Sequence, residues 1–130
     1  MACVRAYGNA LGESEEQMAV GVHQALEDAQ FDFVLAHVDG PVLAYFWGVW
    51  SAGCKELDPA VKALAAECAG RLTVVRTDLV RCPATTKRYG VTGAPTLVLL
   101  RAGEVVETAT APLTEEDLRA LVSRHVPPTA

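Results

Sequence analysis

The residues able to do chemistry gather in one stretch, "YFWGVWSAGCK" from Tyr45 to Lys55, where two tryptophans lead into a four-residue turn from Ser51 to Cys54. A thiolate attacks a disulfide, and a second thiol within reach releases the mixed disulfide that forms. The chain holds four thiols, Cys3, Cys54, Cys68 and Cys82, at spacings of 51, 14 and 14 residues. With no CxxC pair, neither a zinc knuckle nor a dense secreted disulfide framework fits, and a reducing compartment would keep all four free. His23, His37 and His125 lack metal-ligand spacing, so no metal and no other cofactor is expected. Ser51 is a poor nucleophile, since its hydroxyl pKa lies far above a thiol's and a helix N-terminus offsets only about one pKa unit. At the start of a helix it would instead accept a backbone N–H two or three residues on, worth ~1 kcal/mol.

Holding that turn in place requires a strand before it and a helix after it, and the pattern supplies both. "PVLAYFWG" is a continuous apolar, β-rich run, as expected of a central strand buried on both faces. A helix then runs from near Cys54 to about Ala69, with Leu57, Val61, Leu64, Ala65 and Cys68 as its apolar stripe and Pro59 inside it. Upstream, residues 1–17 mix glycine with a cluster of acids and read as a partly disordered or loosely packed extension to a domain spanning 18–130. Val20, Val22 and Gln24 alternate as a strand, and Asp28 is the expected N-cap of a helix carrying Phe31, Val34 and Leu35 and ending at Gly40. Downstream come a strand "RLTVVRTDL", a short helix "RCPATTKRYG" and two strands joined by "RAGE". A final helix follows, with Thr114 to Asp117 shaped as a capping box. The order β-α-β-α-β-α-β-β-α predicts an α/β fold: a mixed central sheet flanked by helices, parallel through its crossovers and antiparallel at the "RAGE" edge.

Composition removes several function classes. The 130 residues are 51% hydrophobic with a net charge of -5, and the 11 basic residues are scattered. No clustered basic surface is available for nucleic acid, and no apolar run approaches the ~20 residues of a membrane span. A soluble, cytoplasmic protein is expected.

Element order and corner residues together resemble the thioredoxin family from about Leu26 to Val126. The resemblance is carried by Phe46-Trp47, Trp50, Cys54-Lys55, Pro59, Tyr89-Gly90-Val91, Gly93-Ala94-Pro95-Thr96 and Gly103-Glu104. It implies a thioredoxin fold with a cis-proline loop at Ala94-Pro95. It also implies a substrate groove formed by Trp50, Ala52, Gly53, Ala94, Pro95 and Ala111, in which Ala94 offers its backbone N–H and C=O to an extended peptide. In the family, a cysteine at the helix N-terminus attacks a disulfide and a second cysteine, one turn on, resolves the mixed disulfide.

This chain departs from that pattern. Ser51 stands at the attacking position, so the site reads SxxC and only Cys54, at the resolving position, remains. Tyr45 stands where the family often has a buried aspartate, Ala52-Gly53 replaces Gly-Pro, and Ala111 replaces a groove glycine. Cys54 has three readings: a small buried hydrophobe, a one-cysteine exchange thiol, or half of a disulfide with Cys82, a candidate regulatory thiol at the same end of the sheet. Three functions follow. The first is a protein- or peptide-binding or redox-regulatory module, docking a partner or a second copy through the groove, with weak or no dithiol activity. The second is a thiol-disulfide oxidoreductase using Cys54 with another thiol. The third is an ordinary reductase in which serine has replaced the first cysteine.

Overall fold

A computed structural model describes residues 22–126. The proposed extension 1–17 and Cys3 lie outside the described residues. The elements follow the expected order: β1 Val22–Ala25, α1 Asp28–His37, β2 Val42–Trp47, α2 Ala52–Glu67, β3 Thr73–Asp78, α3 Pro83–Arg88, β4 Thr96–Arg101, β5 Glu104–Thr110 and α4 Glu115–His125. They build one five-stranded sheet in the order β1-β3-β2-β4-β5.

β2 is central and buried on both faces, and its alternation deals side chains to two cores. Leu43 and Tyr45 enter the core beneath α2 and α4, with Val74, Leu97 and Leu99 from the neighbouring strands. Ala44 and Phe46 enter the core on the α1 face, with Phe31, Val34, Val75, Val98 and Leu100.

One expectation is corrected. β2 pairs parallel with β3 but antiparallel with β4, so the antiparallel half begins inside the sheet and not only at the "RAGE" edge. The reason is length. α3 has six residues, a rise of about 9 Å, against about 20 Å for a six-residue strand. It does not carry the chain back along the sheet, and β4 re-enters at the end where β3 finished and runs the other way. That reversal gathers the loops after β2 and β3, the loop before β4 and the segment after β5 at one end of the sheet.

A second correction concerns Asp28. The N-cap of α1 is Glu27, without a side-chain bond. Asp28 instead accepts from Ala84 N, Thr85 N and Thr85 Oγ1, at 3.3, 2.8 and 2.7 Å, and so serves the N-terminus of α3. The Thr114–Asp117 capping box forms at the start of α4.

Candidate functional site

The turn between β2 and α2 is built from its glycine outward. Gly48 is buried, and a Cβ placed on it would stand 2.5 Å from the Trp50 ring, so the indole lies directly over this backbone. The ring is nonetheless 58% exposed. Val49 and Val80, in the adjoining loops after β2 and β3, are exposed as well, so three of the five large exposed hydrophobics of the described residues share this end of the sheet. The loop before β4 meets the first turn of α2, where a Cβ on Gly53 would stand 3.2 Å from Pro95 Cδ, and its Ala94–Pro95 peptide bond is cis. Beyond that, Ala111 is exposed and donates its N–H to Pro95 O at 3.1 Å. Trp50, Ala52, Gly53, Ala94 and Ala111 thus reach the surface together, whereas Pro95 is buried beneath them.

Ser51 is the N-cap of α2, with extended backbone angles and its Oγ accepting from Cys54 N at 3.3 Å. Its hydroxyl proton points the other way, to Ala94 O at 3.2 Å. Cys54 is only 2% exposed and is a free thiol. A helix N-terminus favours thiolate, but the side chain placed to benefit is a hydroxyl, and the one thiol sits inside the first turn.

Tyr45 is fully buried below this turn, and its hydroxyl donates to Asp58 Oδ1 at 2.7 Å and to Cys54 O at 3.1 Å. Burial first, then the hydrogen bond to Asp58, push its phenol well above the usual range, so it stays a neutral donor. Asp58 Oδ2 pairs with Arg76 Nη2 at 2.9 Å, and the guanidinium lies 4.3 Å from the Trp47 ring centroid. Sequence reading missed Asp58. The signal was present: Asp58 is four residues after Cys54, on the same face of α2. Trp47, Cys54, Lys55, Asp58 and Arg76 line a cleft of about 350 Å³ beside the turn.

Cys82 does not join this site. It belongs to the core on the α1 face, whereas Cys54 belongs to the core under α2, so the sheet stands between them. A disulfide needs Cα atoms within about 7 Å, which opposite layers do not offer. The Cys82 thiol donates to Ala25 O at 3.4 Å, and burial, followed by the charges of Asp28 and Asp78, pushes its pKa up to about 12. The fold thus sets Cys82 and Cys54 in different layers, each a free thiol. Cys68 is buried at the C-cap of α2, at the far end of the helix from Cys54. Among the described residues no group of His, Cys, Asp and Glu could hold a metal.

Comparison with known proteins agrees with this geometry. The family model described as Thioredoxin matches residues 22–124. A thioredoxin of Haemophilus influenzae is 34% identical over 101 residues, 78% of this chain and 94% of that one. A thioredoxin of Bacillus subtilis is 39% identical over 88 residues, 68% of this chain and 85% of that one. Among solved structures, a mutant thioredoxin from Halobacterium salinarum superposes with a TM-score of 0.74 at 28% identity, covering 86% of this chain and 96% of the other. With its fold, its turn and its cis-proline loop in one arrangement, the chain belongs to the thioredoxin family.

Proposed function

We propose that this protein is a docking module of the thioredoxin family, receiving an extended protein or peptide segment on the surface of Val49, Trp50, Ala94 and Ala111 without turning over dithiols. The observation that carries this reading is the state of the turn: Ser51 uses its hydroxyl as a cap and a loop contact, and Cys54 is buried with no second thiol in its layer nearer than Cys68. A dithiol cycle needs a second sulfur to release the substrate from a mixed disulfide. The exposed apolar strip needs no sulfur to bind, and buried apolar area supplies the affinity. A reducing compartment such as the cytoplasm suits the three free thiols described.

The test is insulin reduction coupled to thioredoxin reductase. The native chain is expected to leave insulin at the uncatalysed rate; clear turnover would defeat the reading. A second reading, in which serine replaces the first cysteine of a working reductase, is favoured by the intact turn and cis-proline loop and by relatives named thioredoxin. It predicts that Ser51→Cys alone restores strong reductase activity. The docking reading predicts weak activity for that variant, because Tyr45 holds the Cys54 carbonyl and Asp58 in place of a strand carboxylate.

A further inference from the structure

Ser51 makes two hydrogen bonds that a thiol would make poorly, since Sγ is a weak donor and a weak acceptor. One ties it forward to Cys54 N and one ties it across to Ala94 O. The packing converges on the same loop. A Cβ on Gly53 would meet Pro95 Cδ at 3.2 Å and Ser51 Oγ at 3.6 Å, so turn and loop already touch. From the opposite side, Ala111 N–H holds Pro95 O at 3.1 Å. Both carbonyls of the Ala94-Pro95 pair therefore accept a bond from within the chain. Proline has no N–H to offer, and the amide of Ala94 donates to no group among the described residues.

We propose that Ser51 is a positioning residue, a clasp that fixes the 94–95 loop against α2. It occupies the Ala94 carbonyl and leaves the Ala94 amide as the free hydrogen-bonding group of that pair, so of the two groups the family resemblance assigns to an extended peptide only the N–H stays available. The partner half of this proposal rests on the docking reading; the clasp can be tested with no partner present.

The decisive variant is Ser51→Asp. Aspartate caps a helix as well as serine but has no proton to donate, and it turns a carboxylate toward the Ala94 carbonyl, so cap and clasp are separated. The reporter is amide hydrogen exchange at Ala111, whose bond to Pro95 breaks when the loop moves. The amides of Leu97 to Leu99 serve as the reference for global opening. Ser51→Asp and Ser51→Ala are expected to speed Ala111 exchange about tenfold relative to that reference, the scale of one lost hydrogen bond, while Ser51→Thr keeps the native rate. The affinity of an extended, cysteine-free apolar peptide should fall in parallel. Ala111 exchange within about twofold of native in Ser51→Asp would overturn the clasp. A released Ala111 with no peptide binding even to the native chain would uphold the clasp and overturn both the partner half and the docking reading.

Discussion

Ser51 shows how one atom redirects a site. On the docking reading its hydroxyl does no exchange chemistry, and the oxygen serves instead in a capping bond to Cys54 N and a bond to Ala94 O. The cap was legible in the sequence because serine at a strand-to-helix junction has one common role. The Ala94 bond was not, since it joins residues 43 positions apart. Gly48 passed unnoticed for a similar reason, its importance lying in the Trp50 ring stacked on it. Gly48→Ala is expected to swing that exposed indole away at little cost in stability, because the ring is free to move into solvent. Trp50 fluorescence and near-UV circular dichroism should change while the urea midpoint stays within the range of a surface substitution, ~0.5 kcal/mol. An unchanged aromatic spectrum would show that the ring is held by something other than this contact.

At the scale of elements, strand and helix types were readable from periodicity, but strand direction was not. A run buried on both faces has the same pattern whether its neighbours are parallel or antiparallel, and the short α3 decided the matter. Side-chain links between elements were equally hidden. Asp28 was read as the cap of its own helix and serves α3, and Asp58 links α2 to β2 through Tyr45 and to β3 through Arg76. Tyr45→Phe removes one buried donor and leaves Asp58 to Arg76 alone. It is expected to cost about 1.5–3 kcal/mol in urea denaturation, the range for a hydrogen bond to a charged group, and an unaltered midpoint would mean that the Arg76 pair alone fixes α2. Between β5 and α4, Glu107 pairs with Arg124 and, at 2.7 Å, with His125, partners that hold its carboxyl at about 2. A folded pKa below the unfolded one gives stability above the ordinary carboxylate range that disappears as pH falls toward about 2. The melting temperatures of native protein and Glu107→Gln should therefore differ at pH 6 and converge on acidification through that window. A constant gap would show that the interaction does not depend on the charge.

The whole molecule sets which groups can meet. A sheet with one core on each face keeps Cys54 and Cys82 in separate layers, although both follow strands that end on the same side. Sequence shows which end of a strand a residue follows but not the layer it enters, so the pairing could be raised from the order of the elements while the separate layers appear only in the fold. The same topology gathers the loops bearing Val49, Trp50, Val80, Ala94 and Ala111 into one surface, and that surface carries the proposed function. Its most direct test is calorimetric titration of the fully reduced native protein and of Trp50→Ala with an extended, cysteine-free apolar peptide. Docking predicts binding by the native chain that persists after its thiols are alkylated, with a loss of about tenfold or more in Trp50→Ala, or ~1.4 kcal/mol. Binding that appears only as a disulfide to Cys54, or that is indifferent to Trp50, would contradict it.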